Sequence, residues 1–580
     1  MRCRRPGALT YSIVRPCSPG PSPAKVSLSS PTVVPTAAES VPALGRFAPL
    51  PGELPGFGDA AVLDAIRRPE LPVWVVGEDT RNGRRLGVAF GGTLGPTGSE
   101  NYSAHALLPS LHPAWLGDRS FAEEHGCRYP YVTGAMATGI ASTELTVAAA
   151  RAGFLAFFGT GGLSFSRAEE GLAAIARALG DLPDAAWGAN LIHSPDQPAL
   201  EERLVDCYLA RGVTRIETSA FMQLAPSVVR YGATGLQVDA WGRIHRPHRV
   251  MAKISRPEVA RHFLQPPPVA MLETLVAQGA LSREEARLAA LIPVADDVTC
   301  EADSGGHTDR RPLAVLLPVI RRLRDDLAPA GGWPRPVRIG AAGGLGDPES
   351  VAAAFALGAD YVVTGSVNQT ARESGTSDIT RALLAEAGFA DVIMAPAADM
   401  FELGVEVQVL RRGTLFAPRA RKLYELFRAH ASLEEIPAPA RERLERDLFR
   451  APLNEIWAEC VKFWTARDPA QVALAERDPH HRMALVFRWY LGNSNRWARE
   501  GVADRRNDYQ IWCGPAIGAF NAWTAGSFLA DPARRTVEQI GLNLLIGATR
   551  CTRACQLRTA GVSLPPTAFH YAPQPLELHR

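Results

Sequence analysis

The chain has 580 residues, too many for one ordinary core, so two or three folded regions are expected. A hydrophobic content of 46%, a charged content of 21% and a net charge of +2 are those of an ordinary globular chain and give no electrostatic support to a nucleic-acid partner. No run approaches 18 uninterrupted apolar residues, so no membrane span is expected. The nine cysteines are scattered without a C-x-x-C pair, which argues against zinc, or any other metal site built on cysteine, and against a disulfide framework. A reducing, cytoplasmic setting suits them.

Residues 1–47 are rich in Arg, Ser and Pro, and no acidic residue precedes Glu39. A transit peptide has that composition, but a disordered tail or an over-extended start is the preferred expectation. Residues 48–125 suggest a small β-rich N-terminal domain, with "PVWVVGEDTRNGRRLGVAFGG" as a hairpin turning at "TRNGRR". The Gly-rich "GVAFGGTLGPTG" lacks the G-x-G-x-x-G spacing, and no separate dinucleotide domain is expected.

From 131 to 366 one unit repeats: a short apolar run, a loop of Gly and polar residues, then an amphipathic helical stretch. The runs are "YVTGA", "FLAFFG", "WGANLI", "RIETS", "RVMAKI", "DVTCE", "PVRIGA" and "DYVVTG". Eight alternations over about 250 residues predict an α/β fold, a TIM (β/α)8 barrel over 126–395 with a helical insertion at 258–295. An open doubly wound sheet is the alternative. Helical apolar spacing in "RKLYELFRAHASLEEI" and "LNEIWAECVKFWTARD" predicts a mainly helical C-terminal extension over 396–580.

In such a barrel, chemistry sits at the C-terminal strand ends. After the seventh strand, Gly343 and Gly344 bare their backbone N–H groups, and Asp347-Pro348 reads as a helix cap. After the eighth, Gly365 and Ser366 offer further donors. Both loops predict a phosphate grip. The other strand ends favour a flavin mononucleotide over a sugar phosphate. Gly134, Ala135 and Met136 form a backbone edge for a flat ring, Asn190 is an amide contact, and Lys253 is placed for the ring's anionic edge, with an ion pair to Glu217 or Glu301 as its competing role. In "EADSGGHTDRRP", His307 follows Gly305-Gly306, a pair expected to keep the loop thin beside the ring, and Asp303 or Asp309 is expected to hold the imidazole and raise its pKa.

"GAMATGIAS", "GANLIHSP", "AKISRPEVA", "EADSGGHTD" and "GAAGGLGDPESVAAAFALGADYVVTGSVNQ" resemble the nitronate monooxygenase-like flavin barrels. "LHPAWLGDRSF", "APAADMFELGVEVQVLRRGTLFAPRARKLYELF" and "DYQIWCGPAIGAFN" narrow the resemblance to the PfaD-type trans-acting enoyl reductases of polyunsaturated fatty acid and polyketide synthases, over roughly 105–560. The resemblance implies FMN, with NADPH or NADH as reductant and an enoyl thioester on an acyl carrier protein as substrate. It places Gly134, Met136, Asn190 and Lys253 around the flavin, Gly343, Gly344, Gly365 and Ser366 around its phosphate, and the active-site histidine on His307. Lys253 and Asp303 join His307 as expected catalytic residues, and Ala135, Gly305 and Gly306 join the cofactor set. A homodimer is left open. Competing expectations are a nitronate oxidase on the same flavin and a non-catalytic, flavin-bound synthase component. Arg411, Arg412, Arg419, Arg421 and Lys422 are weighed as a carrier-protein contact against ordinary solvated charge.

Overall fold

The computed structural model describes residues 42–577, apart from 82, 96–101, 183, 195–196, 330–332 and 334. The expected tail therefore lies almost wholly outside the described residues. All eight apolar runs are strands: Tyr131–Thr133, Leu155–Phe158, Trp187–Ile192, Arg215–Ser219, Arg249–Ile254, Asp297–Glu301, Arg338–Ala342 and Val362–Thr364. They are parallel and close into a barrel, the eighth strand pairing with the first through Val362–Tyr131, Val363–Val132 and Thr364–Thr133. Closure rules out the open doubly wound sheet.

Most of the runs are rich in apolar residues because barrel strands are buried on both faces. Inward residues fill the interior, and outward ones pack against the surrounding helices in one continuous core. Before the sixth strand the chain adds the helices Val269–Ala277 and Arg283–Ala289, whose Leu272, Leu275 and Leu288, with Leu281 between them, make a separate small core with Val229 and Leu236.

The N-terminal region is a five-stranded sheet that begins with Gly45–Ala48. Its hairpin pairs Val73–Thr80 with Gly83–Ala89, turning where "TRNGRR" predicts. The C-terminal region is mainly helical, with one antiparallel hairpin of Val392–Pro396 and Glu406–Leu410. Its last long helix, Val537–Thr559, returns to the N-terminal sheet. Ala554 and Leu557 pack on Val62, Ile66 and Val73, and the buried Arg553 donates to the carbonyls of Pro69, Leu71 and Pro109. Among the described residues, no helix is long and apolar enough to cross a membrane.

At the end of the barrel where strands begin, buried charges are paired. Asp297 accepts from Arg338 Nε at 2.6 Å and from His125 Nε2 at 2.8 Å, and Arg338 also pairs with Glu124 at 2.7 Å. Burial opposes the Asp297 charge, but Arg338 and His125 outweigh it and hold the carboxyl far below the ordinary range. A carboxyl depressed on folding adds stability above its unfolded pKa, and that stability is lost as pH falls. Asp297→Ala is expected to cost about 3–5 kcal/mol, because Arg338 is left buried without its partner. Urea unfolding at neutral and acidic pH checks this; an unchanged midpoint contradicts the role.

Candidate active site

Strand ends from all round the barrel meet at its other mouth. The first strand runs into Gly134, whose N–H donates to the Thr364 carbonyl at 3.0 Å, closing the rim between the first and eighth strands. The next N–H, of Ala135, donates to Glu217 Oε2 at 2.9 Å. Glu217, in the fourth strand, is fully buried, and its Oε1 has no hydrogen-bond partner. Burial pushes its carboxyl up to about 7, against the pull of Lys253 and the Ala135 N–H. Lys253 pairs with Glu301 at 3.2 Å. Burial works against its ammonium, but Glu301 and Glu217 outweigh that and hold it charged well above its ordinary value. The competing role for Lys253, an ion pair inside the mouth, is thus present. Asn190 is buried and donates to the Glu217 carbonyl at 2.9 Å and to Ser219 Oγ at 3.1 Å, so its amide hydrogens are taken by protein.

The loop after the sixth strand carries His307. The ring is partly exposed, and its Nε2 meets Asp399 Oδ2 at 3.0 Å. Partial burial disfavours the imidazolium, but the Asp399 hydrogen bond and charge prevail, helped by Glu301, and the pKa lies above the usual histidine value. The partner expected from sequence was Asp303 or Asp309, and here the structure corrects it. Asp303 accepts from Gln408 Nε2 at 2.8 Å. Asp309 accepts from Ser255 at 2.6 Å and from both faces of the Arg256 fork at 2.8 Å, which brings it down to about 2. Both are spent on fixing the loop.

Gly305 and Gly306 are thin for a further reason. A Cβ on Gly305 would stand 2.6 Å from Cys513 Cα, and Gly306 has a positive φ of 77°. Gly306 exchanges backbone hydrogen bonds with Gln408, N–H to carbonyl at 3.0 Å one way and 2.7 Å the other. The C-terminal region therefore presses bare backbone against the histidine loop.

In the loops after the seventh and eighth strands the glycines divide. Gly343 (φ +86°) lies against the Ala302 backbone, where a Cβ would come within 2.7 Å, whereas Gly344 and Gly365 face open space. Ser366 Oγ accepts from the Gly514 N–H at 3.0 Å. Asp347 caps the helix Pro348–Ala356 by accepting from Ser350 N at 2.7 Å, with Pro348 in the first turn as the sequence predicts.

Sequence reasoning names Glu217 and Glu301 only as competing partners of Lys253, and it misses Asp399, Gln408, Cys513 and Gly514. It also misses a clamp on the ring-facing loop. Thr138, two residues beyond Met136, sits at φ +59°, a left-handed conformation that costs a β-branched residue about 1–3 kcal/mol. Arg499, near the end of the helix Pro479–Glu500, donates to the Thr138 carbonyl at 2.7 Å, and the Thr138 hydroxyl lies 3.3 Å from Asn495 Oδ1.

The basic cluster weighed as a docking face is largely engaged. Arg419 is bonded to the buried Asp508, Arg421 donates to the Met394 carbonyl at 2.8 Å, and Arg411 and Arg412 lie within 3.9 Å of Asp391 or Glu386.

A closed parallel barrel with an acid–base group and bare glycines at the strand ends defines a (β/α)8 enzyme mouth. A family model described as nitronate monooxygenase matches residues 120–420, and the chain belongs to that family. A second model, the inserted helical domain of [acyl-carrier-protein] S-malonyltransferase, matches residues 430–509. The chain is 47% identical to one of the subunits of the polyunsaturated fatty acid synthase of a Thraustochytrium species, over 79% of this chain and 31% of that protein. It is 42% identical to the polyketide biosynthesis protein PksE of Bacillus subtilis, over 74% of this chain and 55% of that one. It thus spans only about a third to a half of these relatives. The enoyl reductase domain of MlnA, from the macrolactin cluster of Bacillus amyloliquefaciens, superposes with a TM-score of 0.73 at 38% identity, covering 77% of this chain and 99% of that domain. Within the family, the chain groups with the PfaD-type proteins.

Removing the clamp is expected to loosen the loop after the first strand. Arg499→Ala should lower stability by about 1.5–3 kcal/mol, the scale of one hydrogen bond to a charged group. Thr138→Gly in the same chain should restore it, since glycine adopts a positive φ without cost. Urea unfolding of the two variants checks this; a double variant as unstable as the single one contradicts the clamp.

Proposed function

We propose that this chain is a trans-acting enoyl reductase that uses flavin mononucleotide and NAD(P)H to reduce 2-enoyl thioesters carried on an acyl carrier protein, in polyunsaturated fatty acid or polyketide assembly. The observation that carries the reading is the likeness to the MlnA enoyl reductase domain over 99% of that domain. The synthase proteins among the relatives, and the match of 430–509 to an acyl-carrier-protein transferase segment, support a carrier-bound substrate.

The residues present fit a flavin. Gly344 and Gly365 leave room where a phosphate would lie, beside the first turn of the helix Pro348–Ala356. Glu217 Oε1 is a buried acceptor without a donor, and a flavin ring edge carries an N–H able to satisfy it. Lys253, beside it, would offset negative charge on the ring. When bound and reduced by NAD(P)H, the flavin supplies a hydride for the β-carbon of the enoyl thioester.

The chain's own groups handle the rest. As the hydride arrives, negative charge grows on the thioester oxygen, and a proton must reach the α-carbon to complete the saturated product. His307, kept protonated by Asp399, stabilises that oxygen and donates the proton. Gln408, through Asp303 and the Ser304 carbonyl, fixes the loop that aims the ring.

Crotonyl thioester with NADPH and no oxygen uptake tests the reading. Substrate-dependent NADPH loss is expected; oxygen consumption with a nitronate instead would favour oxidase chemistry, which the family match keeps as the second reading. His307→Ala should keep its flavin and reduce crotonyl thioester about 10²-fold more slowly, the lower end of general-acid effects; an unchanged rate contradicts the role.

The His307 pKa is raised on folding, so activity that needs the imidazolium falls as pH rises through that raised value. Asp399→Asn removes the carboxylate that raises it and is expected to move the alkaline limb of the rate profile to lower pH. A pH profile of kcat checks the shift, and a limb that stays in place contradicts it.

A further inference from the structure

A groove of about 370 Å³ lies outside the mouth just described, between the loops that follow the first two barrel strands and the end of the helix Pro479–Glu500. Thr138 and Gly139 line it. They stand two and three residues beyond Met136, so the near edge is within on the order of 10 Å of that residue along the chain. A ligand seated in the groove is therefore placed to extend its far end over the rim.

The chemistry of the groove is that of an anion site. Ser142, Thr143 and Glu144 bring the start of the helix Thr143–Arg151 into one wall, and Arg167 projects from the first turn of the helix Phe165–Ala178. Helix starts carry partial positive charge. Arg499 reaches in from the opposite wall. Its Nη1 is on the Thr138 carbonyl, and its buried Nε has no partner.

Two carboxylates also line the groove, and both have partners. Glu144 accepts from the Thr143 hydroxyl at 2.8 Å, and Glu500 lies 3.6 Å from Arg499 Nη2. Arg167 is exposed and has no ion-pair partner among the described residues. Burial and then the neighbouring charge of Arg167 hold Arg499 below the ordinary guanidinium value, against the pull of Glu500.

We propose that this groove binds a phosphate group carried on the long arm of an incoming ligand, with Arg167 as its principal contact. A guanidinium fork beside helix N–H groups is the arrangement that grips phosphate. The proposal rests on the enoyl reductase reading, which brings two such ligands to the mouth: NADPH, through its 2′-phosphate, and the phosphopantetheine arm of a carrier-bound thioester.

The test uses the flavin-loaded full chain and Arg167→Glu, with 2′,5′-ADP and 4′-phosphopantetheine as calorimetric probes. One of the two is expected to bind the unaltered protein, and the substitution is expected to weaken that binding about tenfold or more, the scale of a charged hydrogen bond. Loss confined to 2′,5′-ADP assigns the groove to the reductant, and loss confined to phosphopantetheine assigns it to the carrier arm. The same variant should raise KM for the assigned ligand relative to its phosphate-free counterpart, NADH or an N-acetylcysteamine thioester. Neither probe binding the unaltered protein, or equal binding by the variant with its flavin spectrum intact, overturns the proposal. Reduction of crotonyl thioester by the unaltered protein is measured alongside, so failure of the groove and failure of the enoyl reductase reading are seen separately.

Discussion

One contact governs the site: bare backbone laid on bare backbone where Gly305 meets Cys513. No side chain fits on that face of Gly305, and Gly514 returns the constraint, since a Cβ there would stand 3.0 Å from the Ser304 carbonyl carbon. Around this point four stretches far apart in sequence are joined. Gly306 pairs with Gln408, Val409 with Trp512, and Gly514 donates to Ser366 on the phosphate side. The histidine loop is thus clasped by the chain that follows the barrel. Arg499 does the same for the loop after the first strand. The helical C-terminal region forms part of the rim of the mouth.

That arrangement sorts the polar groups by task. At the strand starts, Asp297, Arg338 and His125 pair in a buried cluster, and a cluster of that kind serves stability. At the strand ends, satisfaction is incomplete: Glu217 keeps a free buried oxygen, and Gly344 and Gly365 face empty space. A buried acceptor without a donor is costly unless a ligand completes it.

Much of this is legible in the sequence, for reasons of period and local chemistry. Eight short runs rich in apolar residues, each followed by an amphipathic stretch, give the barrel, because strands buried on both faces are mostly apolar. Asp347-Pro348 gives a helix start, because both residues act on the backbone next to them. The histidine partner is hidden for the opposite reason. Asp399 lies 92 residues from His307, brought near by the hairpin that the histidine loop itself pairs with. Asp303 and Asp309 are nearer in sequence, yet Gln408 and Arg256 claim them, and neither claim leaves a mark in local spacing. The glycine pair has a visible purpose, thinness, but the surface it approaches is the backbone of Cys513, far along the chain. Tyr490 and Trp497 belong to the core, where Tyr490 packs against Phe416, Phe449 and Trp497.

The account stands on an isoalloxazine ring held in the barrel mouth, and the absorbance spectrum of the purified chain addresses that most directly. The account predicts the two visible bands of a protein-bound flavin, present as isolated or regained after incubation with riboflavin 5′-phosphate and removal of the excess. A preparation that is folded yet shows no visible absorbance after that treatment would contradict it.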